Sequence, residues 1–343
     1  MAMADVTVRG AGIFGLSVAW ACARRGAAVQ VIDPAGPGAG ASGGIVGALA
    51  PHVPENWNDK KAFQLDSLLM AETFWAEVAE ISGRSPGYAR TGRLQPLEPG
   101  GAALAEARAG WSRSLWQGRA VWRVADAAEF AHTPECEGGR VIHDTLTARL
   151  HPAQACAALA AALKVKGGVI RTEGDDEGRV IRAIGAADLA ALNAVLPRQV
   201  GAAIKGQAAL MDLALPDHPQ IFANGVHIVP HEDGTTAIGS TTERDFDGLG
   251  TDALLDEVIA AARAAFAPLR DARVIRRWAG LRPRTRSRAP MLGAHPLHPG
   301  QFIANGGFKI GFGMAPKVGE VMADLVLEGL DAIPEGFRPE ASL

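Results

Sequence analysis

At 343 residues the chain is long enough for about two domains, and its 48% hydrophobic and 21% charged residues are typical of a soluble globular enzyme. A net charge of −3 excludes a global field that would recruit nucleic acid or an acidic membrane. The three cysteines have no CxxC spacing, which excludes a disulfide framework and favours reduced thiols in a cytoplasmic protein. We expect neither a membrane span nor a signal peptide, because no run of about 18 apolar residues occurs and glycines interrupt the apolar start.

The first predicted element is a nucleotide-binding turn held between two strands. A β-branched strand begins at Val6, an Ala- and Leu-rich helix runs from about Ile13 to Arg25, and a second strand from Val29 ends at Asp33. Glycine at the turn permits close approach of a pyrophosphate to the backbone and close packing of the helix on the strand. The final acid is placed to accept from ribose hydroxyls, but aspartate there leaves FAD and NAD both open. The turn has GxGxxG spacing, with glycines at Gly10, Gly12 and Gly15.

A glycine-rich loop follows the ribose acid directly. Residues 34–44 read Pro-Ala-Gly-Pro-Gly-Ala-Gly-Ala-Ser-Gly-Gly, and an apolar stretch from Ile45 to His52 comes next. Such a loop offers backbone donors with little steric bulk beside phosphates. At this point the sequence resembles the D-amino acid oxidase superfamily, the group that holds glycine oxidase, sarcosine oxidase and D-amino acid dehydrogenase. In that family an Ala-Ser-rich loop wraps the FAD diphosphate and the flavin edge.

The resemblance continues to about Gly329. The closing segment, Asn305–Pro316, contains glycines that let the backbone approach a planar ring such as a flavin. Pro316 suits the first turn of a helix that continues to Leu330. A second GxGxxG for a nicotinamide nucleotide is missing, so NAD(P)H is not expected as the electron source. The further matching segments are the crossover-helix motif at Leu150–Gln154, the strand ending in an ATG-like motif at Val180–Ala186, the GSTxE-like turn Gly239–Glu243, the WxGLRP-like segment Trp278–Pro283 that faces the flavin, and the closing motif Asn305–Pro316.

The resemblance implies an α/β fold, in which a Rossmann-type, glutathione-reductase-like FAD-binding domain is interleaved with an antiparallel-sheet α+β substrate domain. We assign residues 1–50, 140–200 and 290–343 to the FAD-binding domain, and residues 51–139 and 201–289 to the substrate domain. Apolar residues at helical spacing from Lys60 to Ile81 predict a core and roof helix. The predicted cofactor-binding residues are Gly10, Gly12, Ile13, Phe14, Gly15, Asp33, Pro34, Ala41, Ser42, Gly43, Gly44, Gly47, Leu49, Ala183, Gly185, Gly280, Gly306, Gly307, Phe308, Lys309 and Ile310.

Two cations are candidates for holding a substrate carboxylate. The resemblance implies that cations bind the carboxylate while the amine and α-carbon lie over the flavin. Arg282 can bind a carboxylate bidentately, which lysine does less well. Lys309 stands in a Gly-Phe-Lys triplet like that of the sarcosine oxidase type, whereas glycine oxidase-like sequences carry arginine nearby. A structural ion pair for Arg282 and a surface position for Lys309 are the alternatives.

Two histidines complete the catalytic candidates. His227 lies in a strand where the family often reads Tyr-x-x-Pro-Arg, with the tyrosine hydroxyl on the carboxylate, and the only tyrosine of this chain is Tyr88. Either His227 replaces that tyrosine or the contact is lost. His52, after the glycine-rich loop, is a further candidate to face the flavin. The short turn Thr172–Arg179 stands where relatives have a longer excursion under the adenine. No His/Cys ligand spacing occurs, and no metal is expected.

The predicted reaction is oxidation of the C–N bond of a primary or secondary amino acid, such as glycine, sarcosine or a D-amino acid, by hydride transfer from the α-carbon to flavin N5. The imine then hydrolyses, and oxygen or a quinone reoxidises the flavin. An alternative is a tRNA-modifying oxidase that acts on a carboxymethylaminomethyl group of a wobble uridine. The arginine-rich run from Arg276 to Arg288 and the stretch Gly47–Pro51 favour it, and the acidic net charge disfavours it. A non-enzymatic flavoprotein serving as a binding or assembly module is the third hypothesis.

Overall fold

The computed structural model describes residues 3–343, which form two large sheets, a two-stranded sheet and the helices that cover them. In the first large sheet every pair of neighbouring strands is parallel, except the pair formed by Met291–Ala294 and Phe302–Asn305, which is antiparallel. Its central strand is buried on both faces, as is usual for β-branched residues in a parallel sheet. In spatial order this sheet consists of β15 (Met291–Ala294), β16 (Phe302–Asn305), β9 (Arg179–Arg182), β1 (Val6–Arg9), β2 (Val29–Ile32) and β8 (Val169–Arg171).

The second large sheet has eight strands and is antiparallel except for one parallel pair, β11 with β4. Its two longest strands, β10 and β14, pair over most of their length, with Ile204 opposite Arg282 and Gly206 opposite Gly280. In spatial order the sheet consists of β14 (Val274–Thr285), β10 (Gly201–Met211), β13 (Thr236–Gly239), β12 (Val226–Pro230), β11 (Gln220–Ala223), β4 (Arg93–Pro96), β6 (Arg140–Asp144) and β5 (Trp122–Asp126). The small third sheet joins β3 (Ala48–Leu49) to β7 (Ala148–Arg149).

The structure confirms the two helices that the sequence predicted most clearly, within one residue at each end. The long helix α2 begins after Asn58, whose side chain accepts from the Lys61 N–H, and ends at Gly83, whose φ of 64° is left-handed. Helix α1 is almost wholly buried and packs against α4 and α7. The helices are α1 (Ile13–Arg24), α2 (Asp59–Ser82), α3 (Ala102–Leu115), α4 (Pro152–Val165), α5 (Ala186–Val195), α6 (Ala253–Ala265) and α7 (Gly311–Ala323).

The last helix begins earlier than the sequence predicted. Pro316 was expected in the first turn, but α7 starts at Gly311 and holds Pro316 inside it. The Met314 N–H already donates to the Ile310 carbonyl, so a turn of helix forms before the proline. A short π-helical stretch, Asp324–Glu328, replaces the expected α-helix up to Leu330. The expectation was wrong because proline only forfeits one helical N–H bond, which burial of this helix offsets.

The two large sheets are interleaved along the chain, which confirms the predicted α/β class with a Rossmann-type domain and a second, antiparallel-sheet domain. The domain boundaries themselves stay a prediction, and residues 1 and 2 lie outside the described residues. Strand β6, within the segment 140–200 assigned to the FAD-binding domain, pairs with β4 and β5 of the second sheet. Helix α2, within the segment 51–139 assigned to the substrate domain, packs against α4 and α7.

Within residues 3–343, no helix combines the length and the apolar character needed to span a bilayer.

Candidate active site

The turn after β1 brings three backbone segments into close contact. Gly10 has a left-handed φ of +105°, and a Cβ there would lie 2.4 Å from the Ala183 carbonyl oxygen at the end of β9. A Cβ on Gly15 would lie 1.9 Å from the Gly10 carbonyl oxygen. Both positions therefore require glycine so that the turn, α1 and the segment after β9 can pack together.

Two polar side chains fasten flanking loops to the start of α1. The Asp33 carboxylate, at the end of β2, accepts from the Ala11 N–H at 2.7 Å. Ser42 Oγ accepts from the Ile13 N–H at 2.9 Å, and a Cβ on Gly12 would lie 3.2 Å from that oxygen. The glycine-rich loop is thereby held against the helix N-terminus, where backbone donors and the helix dipole favour a pyrophosphate.

A cavity of about 760 Å³ leads from this turn to the second large sheet. It is lined by α1, the glycine-rich loop, the segment after β9, strand β14 and the segment before α7. Most of the predicted site residues line it, and they come from parts of the chain far apart in sequence. They are Gly12, Ile13, Phe14, Asp33, Ala41, Ser42, Gly44, Gly47, Ala183, Gly185, His227, Gly280, Arg282, Gly306, Gly307, Phe308 and Lys309.

The other predicted residues are not part of the cavity lining. A Cβ on Gly43 would lie 2.2 Å from the Gly38 carbonyl oxygen, so this glycine serves the fold of the loop itself. Leu49 is buried in the main core, and Ile310 packs against the same core. The cavity lining therefore omits Gly10, Gly15, Pro34, Gly43, Leu49, Ile310 and His52.

Several cavity residues were not among the predicted cofactor-binding or catalytic residues. Trp278 packs its ring against Gly280, where a Cβ would lie 2.4 Å from Cζ2, and it also contacts Gly44. Phe222 faces His227 with ring centroids 4.6 Å apart. Ile45 and Val46 add apolar surface. Trp278 could have been predicted as a cavity residue from the Trp-Ala-Gly-Leu-Arg-Pro segment. The sequence around Phe222 contains no motif from which its position could have been predicted.

Arg282 is buried on β14 with its guanidinium facing the cavity. Its Nη1 donates to the Thr241 carbonyl oxygen at 3.1 Å. Burial lowers the pKa of Arg282 to about 10, against a smaller opposing effect of Glu243. The side chain is therefore still a cation at neutral pH, held in place by one backbone acceptor and carrying further donors for a ligand.

A buried polar network supports the segment that holds Arg282. The Thr241 hydroxyl donates to the Glu243 carboxylate, and Gln207 Nε2 donates to Glu243 at 3.0 Å. Lys205 pairs with Glu243 at 3.2 Å and with Asp252 at 2.8 Å. The hydrogen bond from Lys205 to Asp252 is the main reason that the pKa of Lys205 is raised. Each charged member of the network has a partner, and the Thr241 hydroxyl bond to Glu243 helps to position the Thr241 carbonyl that Arg282 binds.

Lys309 and His227 share the same end of the cavity. Lys309 is exposed, yet partial desolvation of its ammonium, aided by the nearby charge of Arg282, lowers its pKa. Burial lowers the pKa of His227 to about 3, helped by the charges of Arg93 and Lys309. His227 is therefore neutral at any ordinary working pH, and the two cations supply the positive charge.

His52 lies elsewhere. Its backbone N–H donates to Gln64 Oε1 at 2.8 Å, and its ring Nδ1 is bonded to the same oxygen. Desolvation lowers the pKa of His52. The Gln64 amide in turn donates to the Ala50 carbonyl oxygen at 3.2 Å. The ring therefore fastens the segment after the glycine-rich loop to α2 and does not line the cavity.

The donor set fits a flavin dinucleotide. A helix N-terminus with a glycine cradle, an acid at the end of the second parallel strand and a cavity that continues beneath an antiparallel sheet define a dinucleotide-binding flavoenzyme. Residues 5–325 match the family described as FAD dependent oxidoreductase. The chain belongs to this family of FAD-dependent oxidoreductases, and FAD is its cofactor.

Two curated relatives match most of the chain. A putative thiamine biosynthesis oxidoreductase ThiO from Rhizobium etli is 31% identical over 350 residues, which cover 94% of this chain and 97% of the relative. A glycine oxidase from Geobacillus kaustophilus is 26% identical and covers 94% of this chain and 92% of the relative.

Solved structures share the fold over nearly the whole chain. A crystal structure of glycine oxidase from Geobacillus kaustophilus superposes with a TM-score of 0.83 at 22% identity, covering 98% of both chains. A crystal structure of iminodiacetate oxidase from Chelativorans sp. BNC1 superposes with a TM-score of 0.82 at 24% identity, covering 97% of this chain and 98% of the other. These likenesses confirm the fold, in which the FAD-binding and substrate parts are interleaved.

Proposed function

We propose that this protein oxidises the C–N bond of a small primary or secondary amino acid. The observation that carries the proposal is the pair of cations, Arg282 and Lys309, at one end of the cavity that is also lined by the nucleotide-binding turn. Their charges are close enough for Arg282 to lower the pKa of Lys309. A carboxylate between them relieves that repulsion and gains charge-assisted hydrogen bonds.

Arg282 holds the substrate carboxylate. Its Nη1 is bonded to the Thr241 carbonyl oxygen, and no other hydrogen bond of this guanidinium occurs among residues 3–343. The remaining donors of its planar fork match the two oxygens of a carboxylate, and burial strengthens their interaction. Lys309 is exposed and contributes a second, more mobile charge. Together they set which end of the substrate is fixed and leave the amine end free to align.

The same cations favour the reactive form of the substrate amine. Positive charge beside an ammonium lowers its pKa, so more of the bound substrate is the neutral amine at a given pH. His227 stays neutral and adds no charge, but it offers a ring nitrogen to the substrate beside the apolar ring of Phe222. When bound, FAD supplies the electron acceptor for the hydride that leaves the α-carbon. The Trp278 and Val46 side chains limit water at this end of the cavity.

The named relatives support a small substrate of this kind. Glycine and iminodiacetate, which appear in the names of similar proteins, are a primary and a secondary amine that each carry a carboxylate. Sarcosine and small D-amino acids carry the same two groups and belong to the same class of candidate substrate.

The decisive experiment is anaerobic reduction of the purified holoprotein with glycine, sarcosine, iminodiacetate and a panel of D-amino acids. We expect at least one of them to bleach the visible flavin band and to yield the corresponding oxo acid and amine. The deaminated or decarboxylated analogues of the best substrate are the matched controls. If no amino acid reduces the flavin while dithionite does, the proposal is wrong. Reoxidation of the reduced protein with oxygen or with a soluble quinone then identifies the acceptor class.

The tRNA alternative rests on the arginine-rich run, of which only a part forms a basic cluster, where partial desolvation and the charges of Arg244 and Arg288 lower the pKa of Arg284. The arginine-rich run does not form one unpaired basic surface, because Arg282 is buried and Arg277 pairs with Asp256 at 2.5 Å. Arg284 lies 5.7 Å from the centre of the Phe308 ring. Salt-dependent tRNA binding, measured beside the reduction assay, separates the two hypotheses.

A further inference from the structure

A second cluster of ligand-type side chains lies outside the cavity. His151, His231 and Asp233 each place one potential ligand atom within 4.8 Å of the others. His151 precedes the first turn of α4, and the other two lie in the turn between β12 and β13. The cluster therefore connects a helix packed beneath the first sheet to a hairpin of the second sheet. None of its members lines the cavity.

We propose that His151, His231 and Asp233 form a binding site for one divalent transition-metal ion of the zinc class, which fastens α4 to the β12–β13 turn. Two imidazoles and one carboxylate are a common protein ligand set for zinc, with a fourth position left to water. The site is independent of the proposed amino-acid oxidation.

His231 provides the observation that points to a ligand. It is only 1% exposed, and its Nε2 has no hydrogen-bond partner among the described residues. A buried imidazole nitrogen without a partner is unfavourable unless something binds it. The His151 and His231 rings have centroids 4.8 Å apart, so the bare nitrogen belongs to a pair of neighbouring rings and not to an isolated one.

The hydrogen bonds around His231 also orient that nitrogen. Thr235 Oγ1 donates to the Asp233 carboxylate at 2.7 Å, and it lies 3.4 Å from His231 Nδ1. Since the hydroxyl proton is given to Asp233, the ring proton of His231 sits on Nδ1 and points to the hydroxyl oxygen. The lone pair is then on Nε2, as ligation requires. Thr235 thus positions both His231 and Asp233, as residues that hydrogen-bond to metal ligands commonly do.

The His151 ring is less well oriented for metal binding than the His231 ring. Its Nδ1 accepts from the Gln154 N–H at 3.5 Å, the limit of a hydrogen bond. Ligation through Nε2 moves the ring proton to Nδ1 and breaks this long bond, which is a small loss. Gln154 Nε2 also donates to Asp233 Oδ2 at 3.3 Å and keeps the carboxylate near. Ligand atoms about 2.1 Å from a tetrahedral zinc lie about 3.4 Å apart, so the most widely separated ligand atoms must approach by up to about 1.4 Å.

The charges around the cluster allow a cation. Burial and the neighbouring ring of His151 lower the pKa of His231 to about 4, and burial lowers the pKa of His151, so burial disfavours a competing positive charge on either ring. Two positive charges act on the cluster, Arg149 on His231 and Arg276 on His151. The Nη1 and Nε of Arg149 donate to the carbonyls of Gly87 and Pro216. Its charge is offset by the carboxylates of Asp217, Glu232 and Asp233.

The test uses untagged, FAD-loaded protein treated with chelator and then desalted. After addition of zinc and a second desalting, we expect about one retained equivalent by metal analysis. With zinc about 100-fold above its Kd, we expect a rise in Tm of about 3–6 °C. Asp233→Asn and His231→Gln should each abolish both effects. Asp233 is exposed, so its variant tests the site even where His231→Gln fails to fold.

Matched controls separate a site from general metal affinity. Asp217→Asn removes an exposed carboxylate that also acts on Arg149, and His143→Gln removes a half-buried imidazole whose Nδ1 likewise has no hydrogen-bond partner among the described residues. Both controls should bind zinc like the parent, with unchanged flavin spectra. Failure of the parent to retain zinc, or equal retention by Asp233→Asn and the parent, overturns the proposal. The flavin reduction assay is separate from these readouts, so failure of the proposed oxidation does not affect them.

Discussion

The guanidinium of Arg282 lies directly over the backbone of Gly206. A Cβ at position 206 would come within 2.1 Å of both Cζ and Nη1 of Arg282. The two residues sit on the neighbouring strands β10 and β14. The buried arginine therefore reaches the cavity across a position where only a hydrogen atom fits, and its orientation depends on that glycine as well as on the Thr241 carbonyl.

Gly206→Ala should displace Arg282 without disturbing the distant nucleotide turn. The loss of well-aligned charge-assisted hydrogen bonds, worth about 1.5–3 kcal/mol, should raise KM for the amino acid by about 10- to 100-fold. Steady-state kinetics and flavin content of the purified variant measure the two effects. Gly248→Ala, at a position with no neighbouring atoms within 4 Å, is the control. An unchanged KM in Gly206→Ala contradicts the proposed role of Arg282.

Arg282→Lys keeps the charge and removes the planar fork. Because lysine cannot bind a carboxylate bidentately, we expect kcat/KM to fall by about 10-fold or more, mostly through KM. Arg277→Lys, in an exposed ion pair with Asp256, should leave both constants unchanged. Equal kinetics for Arg282→Lys and the parent place the substrate carboxylate elsewhere.

The pH dependence of flavin reduction should not report His227. Its pKa of about 3 keeps the ring neutral throughout the working range. The rate should rise with pH as the substrate amine loses its proton. His227→Gln should lower the rate and leave the midpoint of this rise unchanged, as measured by anaerobic stopped-flow reduction. A midpoint that moves in His227→Gln shows that His227 titrates with the reaction.

Gly15→Ala should abolish FAD binding. A Cβ there would lie 1.9 Å from the Gly10 carbonyl oxygen, so either the turn or α1 must move away from β1. We expect loss of the visible flavin absorption and a lower Tm. Gly336→Ala, near the C-terminus and free of neighbouring atoms within 4 Å, should keep both. Full flavin content in Gly15→Ala shows that the turn tolerates the shift.

Buried histidines should make the protein unstable in acid. The folded-state pKa of His231 is about 4, below the value of about 6.5 in the unfolded chain. The unfolded state therefore binds more protons between these values, so stability is complete above about pH 6.5 and falls as pH drops towards 4. His231→Gln should reduce this loss by about 2 kcal/mol at about pH 4.5, measured by urea unfolding with chelator present. An equal loss in the variant and the parent means that other groups cause it.

The nucleotide end of the site was predictable because it is local. From Val6 to Asp33, strand, glycine turn, helix and acid follow one another within one stretch of chain, and backbone propensity decides each of them. The helices starting near Ile13 and Lys60 could be placed to within one residue at each end, since capping residues and apolar spacing are local as well. The helix start predicted from Pro316 was wrong, because the helix propensity of one residue is a weaker effect than the packing of a buried helix.

Which polar groups come into contact depends on the folded chain and could not be predicted from local sequence. The antiparallel pairing of β10 with β14 places Gly206 under Arg282, and the separate turn at Thr241 supplies the carbonyl that Arg282 binds. Burial keeps His227 neutral, whereas Arg282 remains a cation although burial lowers its pKa as well. The pairing of His151 with His231 likewise joins a helix start to a distant hairpin. The local elements and the nucleotide-binding turn were predictable from the sequence, because these depend on neighbouring residues. The substrate end and the histidine cluster depend on desolvation and on contacts between distant residues, which exist only in the folded chain.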